Sequence, residues 1–374
     1  YMKLPFKIDL TGKVCVVTGG AGVLCSGFAK TLAACGASVA VLDLNEEMAK
    51  KIADEINAEG GKAIGVKANV LERESVEAAR DEVVKTFGTC DILVNGAECE
   101  PYLTSDYRRM LDDSEKLIEG LRVMLKLFDN AKGYICIEDN KPDCIAKLKE
   151  MVKDIPRIEV AELMTKYPQG GERQLIYATT GRAINSKMLP ADAGCIVDNV
   201  ETLVAINRAV KEGKPVMDRI FTVTGDAVAN PGNFEYCIGM SYAEILEEAG
   251  GFKEDPEKMI SGGPMMGFAV FSLEIPTTKT SSSLLCFKKD DVSASEVTAC
   301  INCGRCVSVC PEQIVPSRLA KMSQFHDSES FEKWNGMECI ECGSCSYICP
   351  AKRPLAQYIK TMKKQILAER RKKQ

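Results

Sequence analysis

Two runs near the C-terminus repeat one cysteine spacing: CINCGRCVSVCP, with Cys300, Cys303, Cys306 and Cys310, and CIECGSCSYICP, with Cys339, Cys342, Cys345 and Cys349. Each reads C-x-x-C-x-x-C-x-x-x-C-P. Three thiolates two residues apart can wrap one iron–sulfur cubane, while the fourth, followed by Pro, reaches across to a second. The spacing predicts one 4Fe–4S cluster on Cys300, Cys303, Cys306 and Cys349. It predicts another on Cys339, Cys342, Cys345 and Cys310. One such run could be chance or a zinc site. Two identical runs, closed by Pro311 and Pro350, leave little room for either. A chain folded around two clusters moves single electrons.

Composition sets the remaining bounds. A chain of 374 residues has room for two to four domains with substantial cores. Of its 18 cysteines, those outside the two runs are Cys15, Cys25, Cys35, Cys90, Cys99, Cys136, Cys144, Cys195, Cys237 and Cys286. They stand among apolar neighbours, which predicts reduced, buried thiols in a cytoplasmic, anaerobic setting. A net charge of −5 gives no global pull toward nucleic acid or anionic lipid. Cations do gather at the end: Lys360, Lys363, Lys364, Arg370, Arg371, Lys372 and Lys373 face only Glu369. This reads first as a solvated helix end or frayed tail, second as a docking tail for an acidic partner or a membrane surface. No signal peptide and no apolar stretch long enough to span a bilayer is expected. The first residue, Tyr1, is the start of a piece of a longer chain by this reading.

Residues 13–95 alternate short apolar runs with amphipathic segments, a βαβαβαβ pattern that predicts the first half of a doubly wound sheet. KVCVVTGG is a strand ending in a glycine turn, and ASVAVLDLN is a second strand ending in Asp43. In the turn TGGAGVLCSG, Gly19 and Gly22 would let a pyrophosphate approach a helix N-terminus, with Asp43 on a ribose hydroxyl. The plainer alternative is a tight turn and a solvated strand-end acid.

VTGGAGVLCSGFAKTLA, VLDLN, KANV and ILVNGA resemble the N-terminal half of short-chain dehydrogenase/reductases over residues 7–96. Val23 and Cys25 replace glycines of that family's turn. No Tyr after residue 95 has Lys four positions on, so the family's catalytic Tyr–Lys pair is missing.

After Ala97 the pattern changes. ECEPYLTSDYRRML, GYICIEDNKPDCI, YPQGGERQLIYATTGR and GCIVDNVETLVAINRA resemble the C subunit of the Rnf electron-transport complex over residues 95–360. The resemblance extends, more distantly, to the flavin- and NADH-binding subunit of respiratory complex I. It implies that Asn95, Glu98 and Glu100 lie beside FMN and nicotinamide at the end of a parallel strand, and that Glu138 lies near the nucleotide. It also implies that Asn199 and Thr202 stand at a helix N-terminus that favours the flavin phosphate. Residues 216–286 are similar to that family's soluble-ligand-binding β-grasp module, where Met265 and Met266 read as core fillers. Residues 287–360 resemble the α-helical two-cluster domain of quinone-linked reductases, with helix, loop and helix between Cys310 and Cys339. His326 reads as a surface residue and Trp334 as packing.

The two resemblances meet at Asn95–Ala97, which predicts a chimera: a natural fusion, an engineered join or an assembly error. The expected fold is multi-domain α/β. A half-Rossmann parallel sheet (1–96) runs into a complex I flavin-subunit-like domain (97–215), then a β-grasp module (216–286), a two-cluster ferredoxin-like domain (287–360) and a basic tail (361–374). The expected function is that of an electron-transfer subunit of an ion-translocating ferredoxin:NAD⁺ oxidoreductase. It would carry two 4Fe–4S clusters, FMN and NAD(H), with Rnf-type membrane and iron–sulfur subunits as partners, and ferredoxin reached through the complex. Its place would be peripheral, on the cytoplasmic face of the cell membrane. The family's Gly-rich flavin loop and its Lys are replaced at the seam, so a second reading is an iron–sulfur wiring module without flavin. A short-chain sugar-acid dehydrogenase is the third.

Overall fold

The computed structural model describes residues 10, 11, 13–87, 91–128 and 130–373. They form two compact units. The first takes the described residues up to Phe87 with Asn130 and Ala131; the second takes Asp91–Phe128 and everything from Lys132 on. Cys90 lies outside the described residues.

The first unit alternates β1 (Val14–Thr18), α1 (Val23–Ala34), β2 (Ser38–Asp43), α2 (Glu46–Ala58), β3 (Lys62–Lys67) and α3 (Arg73–Phe87). Its sheet is parallel, in the order β1-β2-β3. Central β2 is buried on both faces, as its run of Val39, Ala40, Val41 and Leu42 requires. Asn45 caps α2 by accepting from the Met48 N–H at 3.2 Å, and Ala49, Ile52, Ala53 and Ile56 form its buried face. Gly65 is needed on β3, because a Cβ there would sit 2.3 Å from Lys50 N.

The fourth strand corrects the sequence expectation. Strand β4 (Asp91–Asn95) belongs to the second unit, in a parallel sheet ordered β6-β5-β4-β7. It pairs with β5 (Gly133–Glu138) on one side and β7 (Cys195–Asn199) on the other. A strand paired on both edges has no ladder left for β1. The half-Rossmann sheet therefore stops at three strands, and the division falls before Asp91 rather than after residue 96.

Around β4 run α4 (Ser105–Asp112), α5 (Ser114–Leu125), α6 (Pro142–Val152), β6 (Ile158–Leu163), α7 (Glu172–Thr180) and α8 (Val200–Glu212). Helices α5 and α8 cross closely, since a Cβ at Gly120 would meet the Leu203 carbonyl at 2.0 Å. A five-stranded mixed sheet follows, ordered β11-β10-β12-β8-β9. Its strands are β8 (Asp218–Thr224), β9 (Gly232–Cys237), β10 (Lys258–Ser261), β11 (Phe268–Val270) and β12 (Ser283–Phe287), with α9 (Tyr242–Glu248). Phe221, Tyr236, Tyr242 and Ile245 pack in its core. Short helices complete the unit: α10 (Asp291–Ala294), α11 (Arg305–Ser308), α12 (Pro316–Gln324), α13 (Ser328–Lys333), α14 (Ser344–Tyr347) and the longer α15 (Leu355–Lys373). The helix–loop–helix expected between Cys310 and Cys339 is α12 and α13, packed on α15 through Leu319, Phe331, Ile359 and Met362. The basic stretch from residue 361 is the continuation of α15 rather than a separate tail. No helix of the described residues is long and apolar enough to cross a membrane.

Candidate cluster and cofactor site

The two cysteine runs fold alike. In each, a glycine in left-handed conformation (Gly304 at φ 74°, Gly343 at φ 79°) turns the chain into a one-turn helix, α11 or α14. These helices pack on each other, so the ends of the runs cross. Cys310 joins Cys339, Cys342 and Cys345 around one cavity. Cys349 joins Cys300, Cys303 and Cys306 around another. Pro311 lines the first and Pro350 the second. Among the described residues, no group of three or more His, Cys, Asp or Glu closes on a single-ion point; each set of thiols surrounds a void.

The two sets differ in their surroundings. Cys342 and Cys345 are buried, and burial pushes the Cys345 thiol up to about 12 and the Cys339 thiol up to about 11. Burial also raises Cys310. Glu341 N–H donates to Cys339 Sγ at 3.3 Å, and Lys363 donates to the Cys339 carbonyl. The Tyr167 hydroxyl donates to the Cys342 carbonyl at 2.6 Å. Arg173 on α7 bridges Glu312 at 3.1 Å and Glu338 at 2.9 Å, which fastens this set to the parallel-sheet domain. In the other set Cys300 and Cys303 are exposed, Cys349 is half-buried and only Cys306 is buried.

A third cavity opens at the C-terminal end of β4. Asn95 there donates to the Gly170 carbonyl at 2.9 Å. Glu98 caps α4, accepting from Asp106 N–H at 2.8 Å and Tyr107 N–H at 3.0 Å. Burial outweighs these bonds and holds its carboxyl above the usual carboxylate range. Asp106 is raised too, by burial and then by Glu98, although Asn199 donates to it at 2.7 Å. Asn199 also caps α8, accepting from Glu201 N–H at 2.9 Å. Glu100 accepts from Met265 N–H at 3.1 Å, and its carboxyl lies 3.3 Å from the Tyr167 hydroxyl oxygen; burial raises it. Tyr167 thus bridges the wall of this cavity and the buried thiol set.

Of the residues singled out in the sequence, Asn95, Glu98, Glu100 and Asn199 meet in this cavity. Glu138 lines a neighbouring one that shares Glu98 and Glu100 as its wall; burial raises its carboxyl, opposed by Lys141 at 3.7 Å. Thr202 stands in the first turn of α8, outside the cavity lining. Met265 and Met266 are not core fillers: Met266 is exposed and lines the cavity, because their loop crosses Glu100. The sequence reading missed Asp106, Tyr167 and Glu172, although their segments were in view; nothing in a lone carboxylate or phenol marks it until the fold gathers them. His326 is exposed as expected. Trp334 is half covered, with the Arg318 guanidinium 4.1 Å from its ring centroid. Among the described residues the other cysteines form no disulfide and are not uniformly buried: Cys136, Cys144, Cys195 and Cys286 are buried, Cys15, Cys25, Cys35 and Cys99 half-buried and Cys237 exposed.

In the first unit, Gly19 takes φ 62° and Gly22 caps α1. Asp43 accepts from Ala21 N–H at 3.1 Å and Asn45 N–H at 3.0 Å. Its carboxylate braces the turn that a pyrophosphate would approach.

Four family profiles match the chain: short chain dehydrogenase over residues 13–118, Nuo51 FMN-binding domain over 81–208, SLBB domain over 220–269 and 4Fe-4S dicluster domain over 294–350. The first two overlap across β4, the strand that both patterns contain. The C subunit of the Na(+)-translocating ferredoxin:NAD(+) oxidoreductase complex of Acetobacterium woodii is 46% identical over 75% of this chain and 63% of its own length. The C subunit of the proton-translocating complex of Clostridium ljungdahlii is 47% identical over 72% of this chain and 59% of its own length. The C subunit of the ion-translocating oxidoreductase complex of Yersinia pestis is 39% identical over 75% of this chain and 46% of its own length. This chain therefore spans at most about three-fifths of the curated relatives it matches. An NAD+-reducing NiFe-hydrogenase in its H2-reduced state shares the fold over 73% of this chain and 56% of its own, with TM-score 0.51 at 18% identity. Over three quarters of its length, the chain is a relative of the C subunit of the ion-translocating ferredoxin:NAD⁺ oxidoreductases, preceded by a segment of short-chain-dehydrogenase type.

Proposed function

We propose that this chain is an electron-transfer subunit of an Rnf-type, ion-translocating ferredoxin:NAD⁺ oxidoreductase, peripheral on the cytoplasmic face of the membrane. Its partners are the other subunits of that complex, with NAD(H) and ferredoxin at the two ends of the path. Two 4Fe–4S clusters sit on the crossed thiol sets, and FMN sits in the cavity of Asn95 and Asn199. The five-stranded sheet serves as a β-grasp spacer between them. The observation that carries this reading is the Tyr167 hydroxyl, which donates to the Cys342 carbonyl at 2.6 Å and lies 3.3 Å from a Glu100 carboxyl oxygen, joining the cavity wall to one thiol set.

The thiol sets fit cubanes in number and spacing. FMN, when bound, converts two-electron hydride chemistry into single-electron steps. Asn95, Gly170 and Glu172 would hold its polar edge, with the α8 N-terminus and Arg219 toward the phosphate. Burial raises Glu98 and holds Asp106 at about 7, which lessens the negative charge this acid-rich wall presents to an anionic ligand. Reconstituted anaerobically, the chain should bind FMN and about eight irons, two cubanes of four, and NADH should bleach flavin and clusters together.

The cavity's own composition favours a second reading, a cluster module without flavin. Glu98, Glu100, Asp106, Glu172 and Glu201 line it against Arg219, and the glycine turn belongs to the other unit. Iron without flavin, and no response to NADH, would select that reading. The sugar-acid dehydrogenase reading lacks its Tyr–Lys pair.

A further inference from the structure

The residues bordering the two thiol sets differ in charge. Glu338 precedes Cys339, Glu341 lies between Cys339 and Cys342, and Glu312 stands two places after Cys310. At the matching places of the other run stand Ala299, Asn302 and Ala351. Glu312 and Glu341 line the cavity that the buried thiols surround. All three carboxylates are met by cations from other elements. Lys360 and Lys363 of α15 pair with Glu341. Arg173 of α7 pairs with the other two through one nitrogen, Nη1, at 3.1 Å from Glu312 and 2.9 Å from Glu338. That nitrogen also donates to the Glu338 carbonyl at 3.3 Å. Gln174 donates to the second Glu312 oxygen at 2.7 Å. The Ser186 N–H and hydroxyl donate to Glu338 at 2.8 and 2.6 Å. The residue before Arg173, Glu172, lines the cavity at the end of β4. The first turn of α7 therefore touches that cavity with one residue and braces the buried set with the next two.

We propose that Arg173 is a positioning residue for the buried cluster: it holds Glu312 and Glu338 in place, offsets their charge and so raises the potential of that cluster. The inference rests on the cluster reading above. Reduction adds one electron, hence one negative charge, to a group that four thiolates already make anionic. Carboxylates beside it oppose that electron, and a cation beside it favours it. The Arg173 side chain is 18% exposed and those of Glu312 and Glu338 are 15% and 27% exposed, so solvent and salt screen these charges less than at an open surface. A guanidinium keeps its charge throughout the working pH range, which makes the offset a fixed one. A cluster that receives electrons from the cavity side needs it, since three carboxylates alone would make that cluster a poor acceptor. The exposed set has Ala299, Asn302 and Ala351 in their stead and no such charge to offset.

The test is a redox titration of the full reconstituted chain under argon, with dithionite as the reductant and electron paramagnetic resonance as the readout. Cys303→Ala isolates the buried cluster and Cys342→Ala the exposed one. In the first background Arg173→Gln should make reduction of the buried cluster about tenfold harder, a downward shift of about 59 mV for one electron, at unchanged iron content. Arg173→Lys keeps the charge and should stay within about threefold of its parent. Arg173→Gln combined with Glu312→Gln removes one charge of each sign and should recover most of the loss. A bracing role alone would not be rescued by losing a second partner. In the Cys342→Ala background Arg173→Gln should shift nothing. An unmoved potential of the buried cluster overturns the proposal. So does an equal shift of both clusters, or a double variant no better than Arg173→Gln. Should Arg173→Gln lose its iron, Glu312→Gln alone replaces it: reduction should become about tenfold easier, and an unmoved potential again overturns the proposal. Wild-type chain that takes up no iron would sink the cluster reading itself, a result distinct from a cluster whose potential ignores Arg173.

Discussion

The buried and the exposed thiol sets have the same spacing and the same left-handed glycine, yet they sit in different physics. Around the buried set, Tyr167, Arg173 and Lys363 reach in from elsewhere in the fold, and burial raises three of its thiols. Around the exposed set the surroundings are more open, with Cys300, Cys303 and Ile301 exposed. Ligand spacing decides which cluster a site can take; the rest of the fold decides what that cluster faces. Burial and hydrogen bonds near the sulfurs also set potential, so clusters held on two identical motifs in these surroundings would differ as electron sites.

The largest effect that could break this comparison is loss of a site. Cys342→Ala should remove about four of eight irons and leave a remaining cluster that NADH no longer reduces. Cys303→Ala should remove as many yet keep NADH bleaching, read by iron assay and electron paramagnetic resonance. Equal NADH responses from the two variants would contradict the assignment of inner and outer sites. Next comes thiol reactivity in the iron-free protein. At pH 8, iodoacetamide should modify Cys300 and Cys303 more than tenfold faster than Cys339 and Cys345, whose raised thiols hold little thiolate. Peptide mapping by mass spectrometry would report the order.

The cavity beside the buried set offers a pH test. Asp106 binds its proton more tightly folded than unfolded. Folding therefore loses stability as pH rises from the ordinary aspartate value, about 3.9, toward neutrality, where the unfolded chain has released the proton first. Asp106→Asn should flatten that limb of the stability–pH curve in chemical denaturation, and an unchanged limb would assign it to other groups. The smallest effect is expected from Tyr167→Phe. Loss of its hydroxyl leaves the Cys342 carbonyl short of a donor, at a cost of about 1 kcal/mol. It should slow NADH bleaching of the clusters without changing iron content.

The cysteine sites were the most legible part of this chain, because ligand chemistry writes itself as spacing. The crossing of Cys310 and Cys349 follows from two runs and nothing else. The parallel strands were legible as apolar runs, but their sheet was not. ILVNGA satisfies the pattern of either half, and only pairing with β5 and β7 decides its place. Site residues on β4 and at the α8 cap were found by resemblance. Tyr167 and Asp106 stayed hidden because their importance lies in partners far away in sequence, Cys342 and Asn199. Met266 misled for the opposite reason: apolar side chains usually mean core, and here a loop fixed by the Met265 backbone N–H on Glu100 carries it to a cavity wall.

The crossed assignment can be tested by iron content alone. Cys303→Ala combined with Cys349→Ala strikes one site twice and should leave about four irons; Cys303→Ala combined with Cys310→Ala strikes both sites and should leave almost none. The reverse pattern, with about four irons surviving in the second pair and none in the first, would mean that each run holds its own cluster, and would contradict the account at its centre.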